Sequence, residues 1–270
     1  MTAEDRFEAG ALAYAAYLQT IEGRLRLDLA WENLRASLSD EGDAQRTSVR
    51  KGRVRRALDF GGGTGALAVR LARQGFNVSV VDSSATMLEL AEEAARRSNV
   101  FEQMSFHRAD ADGIAALSEP AAFDVAACHN VLEYVPDPAA AVRALSLSVR
   151  PGGVVSLLAR QGTGEVMRHA LKAHDLAAAC RAFEAKWATE SLYGGPARVF
   201  DAQRLCALAE GGGLRVIAER GVRVVADYLP ASLSETEEAY RQLLAFELEL
   251  GARPEFAGVA RYRQVLARAV

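Results

Sequence analysis

The stretch Arg56-Ala57-Leu58-Asp59-Phe60-Gly61-Gly62-Gly63-Thr64-Gly65 decides the fold of this chain. An apolar run that ends in an acid and then a glycine cluster reads as a first β-strand breaking into a tight ligand-binding turn. Glycine tolerates positive φ and lets the backbone approach a ligand where a Cβ would obstruct it. Ala66 to Arg73 then open a helix. Such a turn serves dinucleotides, phosphates and nucleosides alike, because all three exploit amides at a helix N-terminus. Two details narrow the choice. No Gly-Lys-Ser/Thr ends the run, which excludes a P-loop, and dinucleotide spacing counted from Gly61 needs glycine where Ala66 stands.

The acid ahead of the glycines is the second clue. Asp59, Gly61, Gly63 and Gly65 match acid-x-Gly-x-Gly-x-Gly, the pattern of class I S-adenosylmethionine-dependent methyltransferases, which this chain resembles. Phe76 to Val81 alternates and is rich in β-branched residues, so it reads as a second strand, and it ends in Asp82. An acid at that tip, roughly twenty residues past the glycines, suits the ribose hydroxyls of an adenosine. Ser83 or Ser84 caps the next helix, and Met87 lies on a side that can pack against adenine. A capping role for Asp82 and a core role for Met87 are the competing readings.

Strands and helices keep alternating. Met104 to Arg108 is a third strand and Phe123 to His129 a fourth; the turn Val149-Arg150-Pro151-Gly152-Gly153 feeds a fifth, Val154 to Leu158. Leu214 to Ala218 and Arg263 to Ala267 form a final antiparallel pair around a helix from Ser234 to Leu250. The expectation is an α/β, Rossmann-like class I methyltransferase fold: a seven-stranded, mostly parallel sheet with an antiparallel last strand and the ligand outside the strand C-termini. One methyltransferase domain spans 1–270, with a helical N-terminal extension (1–50), a cofactor-binding core (51–160), a substrate cap after strand five (161–200) and the C-terminal part of the core (201–270). The cap reads as mixed helix from Gly162 to Thr189, then a Tyr193-Gly194-Gly195-Pro196 loop.

Composition agrees with an enzyme. The chain has 270 residues, half of them hydrophobic, enough to bury a full core. No apolar run approaches the roughly twenty residues that span a bilayer, and the first residues lack the basic and apolar parts of a signal peptide. The cytoplasm is the expected compartment. Cys128, Cys180 and Cys206 are odd in number and far apart, and four histidines are scattered, so neither a disulfide framework nor a metal site is expected. His169 and His174 are five apart and turn to different helix faces. No nucleophile elbow surrounds any Ser or Cys.

Several segments together are similar to the bacterial tRNA 5-carboxymethoxyuridine methyltransferases, over nearly the whole chain. They are Gly23-Arg24-Leu25-Arg26 ahead of Trp31, the glycine cluster, Asp82 with Ser84 and Met87, His129-Asn130-Val131-Leu132-Glu133-Tyr134-Val135 with Asp137-Pro138, and Gly221-Val222-Arg223-Val224 with Asp227-Tyr228-Leu229. Those enzymes convert the carboxylate of a modified wobble uridine to its methyl ester. The resemblance implies S-adenosyl-L-methionine as cofactor. It implies that Arg26 binds the methionyl carboxylate, that Gly61 and Gly62 back the nucleoside, with Asp59, Gly63 and Ser83 beside them, and that Asp82 holds the ribose. Ala111 and Asp112 would border the adenine, and His129 would line the methyl-donor site. Independently, a zwitterionic cofactor needs a cation for its carboxylate, and guanidinium binds carboxylate in bidentate fashion.

Charge complicates the tRNA expectation. Between 165 and 190 the cations Arg168, Lys172, Arg181 and Lys186 are balanced by Glu165, Asp175, Glu184 and Glu190, and the whole chain carries a net charge of −3. Nucleic-acid binders ordinarily show a basic face. The basic run Arg46, Arg50, Lys51, Arg53, Arg55 and Arg56 lies before strand one, opposite the ligand edge. The acceptor is therefore either tRNA or a small acidic or phenolic molecule, and a non-catalytic cofactor-binding protein is a remote third reading. A carboxylate nucleophile is ionised at neutral pH and needs no base; Arg160, Arg198, Arg223, Tyr193 and Tyr228 are then candidates to orient it. For a hydroxyl or amine, His129 or Glu133 would take the proton.

Overall fold

The structure, a computed structural model, describes residues 3–39, 54–110, 113, 120–190 and 192–270. Two helices lead, α1 (Ala3–Tyr17) and α2 (Ile21–Ser39). The alternating part follows: β1 (Arg55–Phe60), α3 (Ala66–Arg73), β2 (Phe76–Asp82), α4 (Ala85–Arg97), β3 (Met104–Arg108), β4 (Phe123–His129), α5 (Pro138–Ser148) and β5 (Val149–Arg160). The cap consists of α6 (Gly162–Met167), a π-turn over Arg168–Lys172, α7 (Leu176–Ala182) and a hairpin of β6 (Trp187–Thr189) with β7 (Pro196–Arg198). Then come α8 (Ala202–Gly211), β8 (Leu214–Val222), α9 (Glu237–Ala252), α10 (Pro254–Ala257) and β9 (Tyr262–Ala269).

Seven strands form one sheet in the order β3-β2-β1-β4-β5-β9-β8, and β9 runs antiparallel to both its neighbours. Strand alternation sorts the side chains into two cores. Ala57, Val78, Val80 and Val125 face Trp31 and Leu34 of α2 together with α3 and α4. Leu58, Phe60, Val81, Ala126 and Cys128 face Val142 and Leu145 of α5 and Leu205 of α8. A sheet covered on both faces buries its strands throughout, which is why β4 is apolar but for Asp124 and the His129 at its end. Asp124 is itself satisfied, accepting from the Arg56 amide at 2.8 Å and from Arg150 Nε at 2.6 Å.

Helix starts follow capping chemistry. Ser84 caps α4 by accepting from the Met87 amide, Asp137 caps α5 ahead of Pro138, Asp201 caps α8, and Thr236 caps α9. Two expectations shift. The Pro151-Gly152-Gly153 turn lies inside β5, because Gly152 adopts φ +79° and the strand register shifts between Phe123 and Val125, so the kink is absorbed as a bulge. The cap holds a hairpin where its sequence suggested helix and loop, since three-residue strands are too short to show alternation.

Strand order reverses between β1 and β4, and that switch point fixes where a ligand can lie. The ends of β1, β2, β4, β5 and β8 and the start of β9 all meet at this one edge.

Candidate active site

A cavity of about 720 Å³ opens at this edge, roofed by α1 and by the cap. Its first wall is the glycine turn. Gly61 and Gly62 donate their amides to Val81 O at 2.8 and 3.1 Å, and Gly63 donates to Asp82 Oδ2 at 2.8 Å. A Cβ at Gly61 would overlap the Val131 side chain. With its first three amides engaged by protein acceptors, the turn offers no nest for phosphate. Asp82 also accepts from the Ser84 amide at 3.0 Å, and burial raises its carboxyl above the usual range. Behind the turn, Asp59 is pushed up to about 7 by burial and by the Asp82 charge, and its Oδ2 has no partner.

Arg26 projects from α2 into the cavity, only 8% exposed. Its guanidinium donates to Asn130 Oδ1 at 2.9 Å and to the Tyr14 hydroxyl at 2.7 Å, and the rings of Tyr17, Tyr14 and Tyr262 lie 5.2, 5.4 and 5.9 Å away. Among the described residues no carboxylate pairs with it. A buried cation held only by dipoles and aromatic faces is a ready partner for a ligand carboxylate. Asn130 bridges this group to the next: it adopts φ +56°, and its Nδ2 donates to Glu133 Oε1 at 3.0 Å. His129 Nε2 lies 2.8 Å from Ser156 Oγ, which accepts from Gln264 Nε2 at 3.0 Å. Burial, and then the Arg26 charge, push its imidazole down to about 3. So held, His129 stays neutral and accepts a proton poorly.

The far side of the cavity is charged. Arg160, at the end of β5, donates to Glu165 Oε1 at 2.9 Å and pairs with Glu190. Arg261 also reaches Glu165 Oε1, at 2.6 Å, and Arg168 reaches its Oε2 at 3.1 Å. Against the burial that would raise it, the Arg261 and Arg160 charges draw the Glu165 carboxyl down to about 2. Three guanidinium groups thus share two carboxylates, and Arg160 Nε has no partner. Arg223 sits on a strained left-handed backbone, φ +60°, and pairs with Asp227 while donating to the Tyr17 hydroxyl at 2.9 Å. Glu247 of α9 holds that turn in place by accepting the amides of Val224, Val225 and Ala226 at 2.6, 2.9 and 2.6 Å.

Of the residues singled out from the sequence, Arg26, Gly61, Gly63, Asp82, Ser83, Met87, His129, Arg160, Tyr193 and Arg223 line the cavity, as does Glu133. Gly62 and Asp59 lie behind the wall. Tyr228 sits in the short turn Ala226–Tyr228 off the wall, and Arg198 turns away to the carbonyls of Leu132 and Val135 and the Trp187 ring. Ala111 and Asp112 lie outside the described residues. The sequence did not point to Phe7, Tyr14 and Tyr17 of α1, to Asn130, or to Arg261 and Tyr262. Only the helical spacing of Phe7, Tyr14 and Tyr17 along α1 hinted at a shared face.

No helix of the described residues is long and apolar enough to cross a membrane, and no group of His, Cys, Asp and Glu among them could hold a metal ion. Strand order, switch-point cavity and glycine turn are those of a class I methyltransferase. A methyltransferase-domain family profile matches residues 30–219. The tRNA 5-carboxymethoxyuridine methyltransferase of Escherichia coli K12 is 31% identical over 252 residues, 92% of this chain and 90% of that protein. A ubiquinone biosynthesis O-methyltransferase of Ralstonia nicotianae is 40% identical over 101 residues, 37% of this chain and 41% of that protein. Among solved structures, a methyltransferase of Thermotoga maritima described as a possible histamine N-methyltransferase shares the fold with a TM-score of 0.60 at 16% identity, covering 99% of this chain and 100% of that one. This chain belongs to the S-adenosylmethionine-dependent methyltransferases and is an enzyme of that class.

Proposed function

We propose that the enzyme esterifies a carboxylate, converting wobble 5-carboxymethoxyuridine of tRNA to its methyl ester. The observation that carries this reading is the gathering of guanidinium groups on the far side of the cavity, where Arg160, Arg168 and Arg261 meet around Glu165 and Glu190 with Glu133 beside them. Guanidinium groups gathered on one wall are suited to bidentate binding of a carboxylate. The full-length relation to a tRNA carboxymethoxyuridine methyltransferase supports the same acceptor.

On this reading Arg26 takes the methionyl carboxylate, Asp82 the ribose hydroxyls, and Gly61, Gly63 and Met87 border the nucleoside. S-adenosylmethionine, when bound, would supply a sulfonium methyl to the acceptor carboxylate oxygen, with sulfur as the leaving group and no proton to be moved by this chain. What this chain contributes is alignment and exclusion of water. His129, held neutral, adds no positive charge near the methyl-donor site.

Burial redistributes the charges of the cap. Glu165 and Glu190 are buried in the cavity wall, 3% and 5% exposed, whereas Lys172, Arg181 and Lys186 are exposed and Arg168 half-buried. On the outer face these cations stand against Asp175 and Glu184, and Lys172 also lies 3.8 Å from Glu22 of α2, so burial of Glu165 and Glu190 moves the outward balance toward the cations without making it strongly basic. The test is mass spectrometry of nucleosides from tRNA bearing unmethylated 5-carboxymethoxyuridine, incubated with the protein and S-adenosylmethionine. A gain of one methyl supports the reading; no transfer, with cofactor binding confirmed in the same sample, moves the acceptor to a small acidic or phenolic molecule.

A further inference from the structure

Tyr262 stands at the crossing point of the site. It is the first residue of β9, in register with Arg160 at the end of β5 and with Val222 at the end of β8. The Arg261 amide before it donates to Arg223 O at 2.8 Å, which ties the three segments together. The guanidinium carbons of Arg223, Arg26 and Arg261 lie 5.8, 5.9 and 5.9 Å from its ring centroid. The side chain is 6% exposed, its remaining surface belongs to the cavity wall, and its hydroxyl has no hydrogen-bond partner among the described residues. Three other phenols on the wall are engaged: Tyr17 accepts from Arg223, Tyr14 from Arg26, and Tyr134 donates to Glu190 at 3.2 Å, while Tyr193 packs among the rings of Phe7, Tyr14 and Tyr134.

A hydroxyl on a cavity wall with no protein partner is free to bond a ligand, and a hydrogen bond to a charged group is among the stronger ones. We propose that Tyr262 determines specificity at the acceptor site: among the guanidinium groups of Arg26, Arg160, Arg223 and Arg261, its hydroxyl donates a hydrogen bond to the acceptor's carboxylate. That bond fixes one oxygen and leaves the other free to face the methyl donor. The inference rests on the carboxylate reading of this site.

The surroundings supply a readout. Tyr17, Arg26, Arg160, Arg223 and Arg261 are the titratable and charged groups that face the phenol from α1, α2, β5, the turn after β8 and the residue before β9. Against the burial that would raise it, the charges of Arg160, Arg223, Arg26 and Arg261 hold this phenol below the usual range. An anion bound beside it must favour the protonated form, by linkage. Phenoxyacetate carries the aryl-oxy-acetate group of the proposed acceptor, and phenoxyacetamide is its uncharged counterpart.

With S-adenosylhomocysteine present, Tyr262→Phe should weaken phenoxyacetate about tenfold, the scale of one hydrogen bond to a charged group, and leave phenoxyacetamide within about twofold. The affinity for S-adenosylhomocysteine itself should stay within about twofold. In the wild type, one tyrosinate absorbance step should come at lower pH than the rest, move upward with phenoxyacetate, and be missing in Tyr262→Phe. A parallel loss of S-adenosylhomocysteine affinity makes the residue merely structural and overturns the proposal. An equal loss for the amide, or a tyrosinate step indifferent to phenoxyacetate, overturns it too. Should the tRNA receive no methyl while phenoxyacetate still moves the step, the tRNA reading fails and Tyr262 keeps its role; methyl transfer with an indifferent step separates the two in the opposite sense.

Discussion

The two halves of the cavity solve opposite electrostatic problems. On the glycine-turn side, groups are satisfied by backbone and neutral side chains: Asp82 by the amides of Gly63 and Ser84, Arg26 by Asn130 and Tyr14, His129 by Ser156. On the cap side, charges face charges, with Glu165 between Arg160 and Arg261 and Arg223 against Asp227. A dipole-lined wall fits a cofactor whose carboxylate needs one cation. The charged wall is held by its own ion pairs, and on the proposed reading its guanidinium groups are placed before an acceptor arrives.

That contrast can be broken most directly at Arg26. Arg26→Leu should weaken S-adenosylhomocysteine by about 100-fold or more, whereas Arg261→Leu should leave it within about threefold, both read by calorimetric titration. Equal losses would show that the two halves are one electrostatic unit.

Glu165→Gln comes next. Removing the shared carboxylate leaves the buried Arg261 without its carboxylate partner and Arg160 with Glu190 alone, at a cost of about 3 kcal/mol in urea unfolding. Because the folded carboxyl lies at about 2, below its ordinary 4.5, the stabilisation is present above pH 4.5 and lost as pH falls through about 2. The wild-type and variant stability curves should therefore converge at the acid end.

Asp59 has the opposite sign. Its folded carboxyl, raised from 3.8 to about 7, contributes stability that is full below 3.8 and lost as pH rises through 7. Asp59→Asn should raise the melting temperature by a few degrees above neutrality and by nothing near pH 4. The smallest effect is expected at His129. An imidazole at about 3 is neutral across the working range, so His129→Gln should change S-adenosylhomocysteine affinity by less than about tenfold and add or remove no limb of the kcat profile between about pH 5 and 8. A limb lost in this variant would mean that His129 carries the proton in catalysis.

Legibility in the sequence follows the same division. Asp59 to Met87 lie in one β-α-β stretch, where spacing along the chain is spacing in the site, so the order of residues alone places the glycine turn, Asp82 and Met87. Arg26 is marked by resemblance, and its isolation from any acid is visible only when α2 is seen against Asn130 and the α1 tyrosines. The cap-side wall gathers residues 160, 165, 190, 223, 261 and 262, and no local pattern marks positions that meet across a hundred residues. Arg160 and Arg223 are candidates by residue type, but so are Arg198 and Tyr228, which the fold turns off the wall. Counting charges along 165–190 treats Glu165 and Glu190 as surface groups; burial removes them from the outer face.

By itself the sequence determined the strand-helix alternation, the glycine turn and the acid at the tip of β2, because backbone conformation and short-range periodicity are written in neighbouring residues. Tertiary structure alone decided which arginines share a carboxylate and that, among the described residues, Arg26 has none and the Tyr262 hydroxyl on the cavity wall has no partner. Those are properties of distance and dielectric between segments remote in the chain, and they exist only once β5, β8 and β9 have brought their ends to one edge.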